Sequence, residues 1–141
     1  MEFEFDILTN PSSKQIEQII KLYKIAGWWD SSNDDPKLVK NIVAGSHFFV
    51  AALKDKNIIG MGRAISDRVS DAYIQDVTVE KSYREQGIGT SIIKFLIENL
   101  RSDGLKWIGL IAERNSYRFY ERFGFKIMEN ATPMINLIKG E

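Results

Sequence analysis

The run Val79-Glu80-Lys81-Ser82-Tyr83-Arg84-Glu85-Gln86-Gly87-Ile88-Gly89-Thr90 sets two glycines and an arginine between a β-branched stretch and a helical pattern. The stretch is Ile74 to Val79, and the pattern repeats apolar residues at Ile88, Ile92, Phe95 and Leu96. Glycine lets a backbone approach a ligand closely, and the first amides of a helix have no partners within it. A turn of this kind can bind an anion, because unpaired N–H groups and the helix dipole both favour negative charge. Gly87-Ile88-Gly89 alone serves backbone geometry as readily as a ligand. Two phosphate motifs fail: Thr90-Ser91 follows Gly89 where a P-loop needs lysine, and Ile92 stands where a dinucleotide fingerprint needs its third glycine.

Other chemistries are bounded by what the chain contains. It has no cysteine and a single histidine, His47. Thiolate nucleophiles, disulfides and a cysteine or histidine zinc cluster are therefore excluded, and a Ser-His-Asp triad could form only through His47. His47 itself, just before a strand, reads as structural. Lysine plus arginine and aspartate plus glutamate number 19 each, so no overall basic field draws the chain to nucleic acid or an anionic membrane. The amino terminus, Met1 to Asp6, alternates acidic and apolar residues unlike a signal peptide, and no apolar run approaches a membrane span. A cytoplasmic protein is the expectation. With 141 residues, a single domain over 1–141 is expected.

The elements that must carry the turn follow from periodicity. Phe3, Phe5 and Ile7 alternate as a strand. Asn10-Pro11-Ser12-Ser13 caps a helix to about Ala26, with Ile16, Ile19, Ile20 and Tyr23 on one face. A loop around Trp28 and Trp29 then leads to a short helix from Pro36. Phe48–Leu53, Ile58–Ile65 and Ala72–Val79 read as an antiparallel meander, in which Gly60 and Gly62 mark a bulge or a close backbone approach. The helix opening at Gly87 should end at Asp103-Gly104. Leu105–Ala112 should be a central strand covered on both faces. Glu113–Phe123 fits a helix with a cap region at Asn115-Ser116, and Phe125–Met128 and Met134–Ile138 should close the sheet as two strands.

At Arg84-x-x-Gly87-x-Gly89 the sequence resembles the GCN5-related N-acetyltransferase (GNAT) family. A second run in the right order supports this: Asn115-Ser116-Tyr117-Arg118-Phe119-Tyr120-Glu121-Arg122-Phe123-Gly124-Phe125. The resemblance covers about Phe48 to Met128. It implies an α/β fold with a mixed, mostly antiparallel sheet flanked by helices on both faces. It also implies that acetyl-CoA is the co-substrate, without a metal. The amides of Glu85, Gln86, Gly87, Ile88, Gly89 and Thr90 would face its pyrophosphate, with Arg84 adding charge. Val77 and Val79 would meet pantetheine through backbone groups, and Asn115 would contact the cofactor unless it caps a helix. Tyr120 would protonate the departing thiolate, since a phenol of ordinary pKa about 10 holds its proton where a thiol of about 8.5 begins to lose it.

In the family an acidic residue at Gln75 or Asp76 often acts as base. Only Asp76 can serve here, to position or deprotonate an amine, and the alternative is a solvated or hydrogen-bonded carboxylate. Lys81 and Arg118 depart from the family's usual proline and small residue. On the acceptor side, Trp28 and Trp29 beside the acidic loop Asp30–Asp35 would suit a cationic amine; the alternative is an aromatic cover over the core. The expected activity is N-acetylation of a primary amine by direct attack. A small-molecule acceptor is expected and a peptide stays open, as does a homodimer, common in the family. A non-catalytic acyl-CoA-binding or protein-interaction module on the same scaffold is the rival reading.

Overall fold

A computed structural model describes residues 2–138. The chain divides into two compact units, residues 1–110 and 111–141.

The first unit is built on a five-stranded sheet in the order β1-β2-β3-β4-β5. Its strands are β1 (Glu4–Ile7), β2 (Phe48–Lys54), β3 (Asn57–Ser66), β4 (Asp71–Val79) and β5 (Trp107–Leu110). Neighbours pair antiparallel except β4 and β5, which are parallel. Between β2 and β3 the chain reverses through Asp55 and Lys56, both at positive φ (49° and 67°), a left-handed pair that matches the sheet's twist.

Helix α1 (Ser13–Ala26) starts in a capping box. The Ser12 hydroxyl accepts the Gln15 amide at 3.2 Å and the Gln15 side chain accepts the Ser12 amide at 2.9 Å. Gly27, at φ 81°, closes it in the left-handed conformation. Helix α2 (Pro36–Gly45) begins with proline behind the capping carboxylate of Asp35. These two helices bury Ile16, Ile19, Leu22, Val39 and Val43 against Phe49, Ala51 and Met61 of the sheet. Helix α3 (Ile88–Ser102) covers the opposite face with Ile88, Ile92, Ile93, Leu96 and Leu100 buried. Gly60 and Gly62 make its close approach possible. A β-carbon on Gly62 would lie 2.6 Å from Ile92 Cγ2 and 3.2 Å from Val77 Cγ2. The expected mixed, mostly antiparallel sheet with helices on both faces is therefore present.

Strand β4 is irregular at the point that matters for function. Arg63 pairs with Gln75 and Met61 with Thr78, so Asp76 and Val77 together face the single residue Gly62. This is a β-bulge, and Asp76 within it takes a positive φ of 57°. Pairing of β4 with β5 covers only Asp71 to Ile74. Within this unit no strand flanks β4 on that side from Gln75 to Val79.

In the second unit, α4 (Tyr117–Glu121) is the regular element among the described residues. It is shorter than the expected Glu113–Phe123, because Arg114 and Asn115 (φ 54° and 61°) break the helix before Ser116 and Gly124 (φ 91°) ends the segment. The two closing strands are not formed. Apolar residues at Phe125–Met128 and Met134–Ile138 signal a strand tendency, but a strand exists only with a hydrogen-bonded neighbour. Here the segments have none among the described residues, and Ile127 and Met134 are 66% and 90% exposed. The expected central strand at Leu105–Ala112 is likewise corrected: β5 is four residues long and lies at the sheet's edge.

The glycine packing generates a stability test. Gly62→Ala should lower stability by about 1–3 kcal/mol, because α3 must move to admit the new methyl. Gly45→Ala, at the end of α2 with no heavy atom within 4 Å of the added carbon, should gain up to about 1 kcal/mol. Urea unfolding of both variants checks this, and a Gly62→Ala midpoint at or above wild type would contradict the close approach.

Candidate functional site

The turn into α3 is an open donor array. Glu85 (φ 65°) and Gly87 (φ 81°) are both left-handed, and Gly87 is the residue before the first helical turn. Alternating handedness of this kind turns successive amides to one side. The first hydrogen bond into the helix is Ser91 N–H to the Gly87 carbonyl at 3.0 Å. The amides of residues 85 to 89 donate to no group among the described residues. The turn is exposed apart from Tyr83, Ile88 and Gly89, and buried Ile88 anchors it against Gly60. Arg84 donates through Nε to the Val79 carbonyl at 3.0 Å, bracing the turn against the end of β4. That contact engages one of the backbone acceptors expected to meet a ligand. The Val77 side chain points toward α3, where it is half-buried.

Beside it, the bulge gathers a polar cluster. Arg63 of β3 donates through Nε to Asp76 Oδ2 at 2.6 Å and through Nη2 to Gln75 Oε1 at 3.4 Å. Two successive residues of β4 thus reach the same guanidinium, which a regular strand with side chains on alternate faces would not allow. From α1, the Tyr23 hydroxyl donates to the same Asp76 Oδ2 at 2.7 Å. Burial, the Asp76 carboxylate and that hydrogen bond raise the Tyr23 phenol far above its ordinary value, and Arg63 opposes this only in part. Tyr23 therefore stays a donor at any working pH.

Tyr23 also joins Asp76 to the tryptophans. Its ring centroid lies 6.4 Å from that of Trp28 and 5.9 Å from that of Trp29. Trp29 packs against the core and donates from Nε1 to Asp34 at 2.9 Å, while Trp28 is 37% exposed. The acidic loop is occupied locally: Asp30 receives the amide and hydroxyl of Ser32, and Asp35 the amide of Lys37. Those hydrogen bonds hold the Asp30 carboxyl below its usual range. Trp28 and Trp29 are linked to Asp76 through Tyr23, and Asp76 also binds Arg63; sequence reasoning singled out neither Tyr23 nor Arg63. Arg63 had a signal, being the one charge in the apolar run Ile58–Ile65. Tyr23 was legible only as part of the apolar face of α1.

In the second unit, Tyr120 lies on α4, half-buried, with its ring edge-on to Phe119 (5.0 Å) and Phe125 (6.1 Å). Burial, and secondarily the Glu113 carboxylate, raise its phenol above the ordinary value. Asn115 is exposed, precedes the helix in a left-handed conformation, and does not cap it; Ser116 is the cap residue and makes no side-chain cap bond.

His47 does sit between a serine and an aspartate. Nδ1 meets Ser66 Oγ at 2.5 Å and Nε2 meets Asp103 Oδ2 at 2.8 Å. Ser66 Oγ already accepts the Arg68 amide at 2.9 Å, and the amides of Val69, Ser70 and Asp71 all donate to Asp67. The loop's amides are thus taken, so the arrangement lacks the oxyanion donors acyl transfer requires. It ties the start of β2 and the end of β3 to the end of α3.

Comparison with known proteins agrees with this geometry. The family model of the acetyltransferase (GNAT) family matches residues 14–125. A histone acetyltransferase of Glycine max is 38% identical over 73 residues, 52% of this chain; the chain spans only 32% of that relative. Among solved structures, a GNAT-family acetyltransferase of Streptococcus pneumoniae superposes with a TM-score of 0.79 at 24% identity, covering 98% of this chain and 99% of that one. An aminoglycoside acetyltransferase from an uncultured soil metagenomic sample, in complex with sisomicin, gives 0.76 at 17% identity, with 97% of each chain covered. With its strand, amide-lined turn and helix in the order the family requires, and a family match over most of its length, the chain belongs to the GNAT family of acetyltransferases.

Proposed function

We propose that this protein transfers an acetyl group from acetyl-CoA to the primary amine of a small molecule by direct attack. The observation that carries the reading is the set of unpartnered amides at residues 85 to 89 opening α3. A diphosphate presents several acceptor oxygens and two or more negative charges, which this array and the helix dipole complement. Arg84 adds a positive charge at the same turn. The edge of β4 from Val77 to Val79, unflanked within its unit, supports the contact with an extended pantetheine arm through backbone groups other than the Val79 carbonyl that Arg84 engages.

Within this reading, Tyr120 donates its proton to the departing sulfur, and Asp76 receives the amine. Burial keeps Tyr120 protonated, which suits a donor. A small amine fits better than a basic peptide tail, because the carboxylates of the loop at Asp30 to Asp35 are largely engaged by local hydrogen bonds. The aminoglycoside acetyltransferase with bound sisomicin illustrates a small polyamine acceptor on the same fold.

Calorimetry with acetyl-CoA, followed by thiol release over polyamines, amino acids, aminoglycosides, arylalkylamines and peptides, tests the whole reading. Tight binding with no release across the panel would favour a non-catalytic module. Arg84→Ala should raise the KM for acetyl-CoA about tenfold, the scale of one charge-assisted contact, with little change in kcat. Tyr120→Phe should instead lower kcat by about 10²-fold while leaving that KM near wild type. In the pH profile, kcat/KM should rise as the amine loses its proton. No fall from Tyr120 should follow below about pH 10, since its phenol is raised above that ordinary value. A descending limb near neutrality that vanished in Tyr120→Phe would contradict the raised phenol, and an unchanged kcat in Tyr120→Phe would exclude the assigned role.

A further inference from the structure

Asp76 is held in a way that decides its chemistry. Its Oδ2 accepts two hydrogen bonds, from Arg63 Nε at 2.6 Å and from the Tyr23 hydroxyl at 2.7 Å. Oδ1 accepts none among the described residues. The Arg63 and Asp76 side chains are only 15% and 20% exposed. A guanidinium keeps its charge in a protein, and Asp76 is the counter-ion of this mostly buried one. The charged and titratable groups against Asp76 are Arg63 from β3 and Tyr23 from α1; its neighbour Gln75 is neutral and also binds Arg63. Both donors converge on Oδ2, so Oδ1 is the oxygen left to meet an acceptor. The contacts also fix the carboxylate in space, on a bulge residue whose left-handed φ aspartate tolerates better than most.

We propose that Arg63 and Tyr23 are positioning residues, holding the Asp76 carboxylate by Oδ2 so that Oδ1 orients the acceptor amine, whose protons leave to water. The inference rests on the acetyl-transfer reading above and goes beyond it by assigning the proton path. An ammonium first loses one proton to solvent. The nitrogen lone pair then forms the C–N bond at the acetyl carbonyl, and the C–S bond breaks with its electron pair on sulfur. Tyr120 supplies the thiol proton and is reprotonated from solvent, while the second proton on nitrogen passes to water. Asp76 begins and ends as a carboxylate that accepts a hydrogen bond from the amine.

The test measures kcat/KM against pH with acetyl-CoA and two probe amines, 2-phenylethylamine and its less basic β,β-difluoro analogue. Wild type, Asp76→Asn, Arg63→Met, Arg63→Lys and Tyr23→Phe are compared. In wild type the acid limb should move with the basicity of the amine. Asp76→Asn, which keeps a residue tolerant of the left-handed φ, should lower kcat/KM by about 10–10²-fold without removing that limb. Arg63→Met should raise the KM for amine about tenfold with acetyl-CoA affinity unchanged, and Arg63→Lys should recover part of the loss. Tyr23→Phe, the mildest change, keeps a folded readout should the arginine variants fail to fold. An acid limb at one pH for both amines that disappears in Asp76→Asn would make Asp76 the base and overturn the inference alone. Turnover of neither probe by an enzyme that binds acetyl-CoA would overturn it too, while leaving donor binding intact. Failure of the wild type to bind acetyl-CoA would remove both readings.

Discussion

One extra residue in β4 sets the chemistry of the first unit. A strand without the bulge would send Gln75 and Asp76 to opposite faces of the sheet, and only one could reach Arg63. Because Asp76 and Val77 share the single partner Gly62, both polar side chains meet the same guanidinium and Val77 still faces α3. The bulge therefore separates a polar side, shared with Tyr23, from an apolar side that seats a helix. A left-handed aspartate is tolerable there because its carboxylate is held by two donors, whose bonds offset the local backbone strain.

The same register governs the turn into α3. Gly62 and Gly60 have no side chains, so α3 lies close on β3 and β4 with Ile88 and Ile92 over the glycines. Burying Ile88 fixes the first turn of the helix. The amides ahead of it are then held in place by packing and by Arg84 on the Val79 carbonyl, with no ligand needed to order them. Preorganised donors of this kind bind an anion without an ordering cost at the moment of binding.

Legibility in the sequence tracked how local each interaction is. The capping box at Ser12 and Gln15, the stop at Gly27 and the proline start at Pro36 all depend on residues within one turn of each other, and each formed where its pattern placed it. The meander was readable because β2, β3 and β4 are short, largely apolar runs joined by short polar turns. Where long-range pairing decides, the reading failed. Phe125–Met128 and Met134–Ile138 carry strand-like residues, yet strand formation needs a partner edge that no local pattern specifies, and β5 was accordingly read as central when it is an edge. Asn115 is a further instance: its type suits a cap, but its backbone is left-handed one residue too early.

What the amino-acid sequence carried by itself were two runs: glycines at a strand-to-helix turn with an arginine beside them, and a second run around Tyr120, which together resemble the family. Each run is contiguous in the chain, so the resemblance is legible without the fold. Only the tertiary structure could bring Tyr23, Arg63 and Asp76 together. Tyr23, Arg63 and Asp76 come from three separate elements, with a sequence separation of 53 for Tyr23 and Asp76 and of 13 for Arg63 and Asp76. The contact between them depends on a bulge whose extra residue no periodicity reveals. A carboxylate that in sequence could position an amine, accept its proton or merely be hydrogen-bonded is, once folded, half of a mostly buried ion pair.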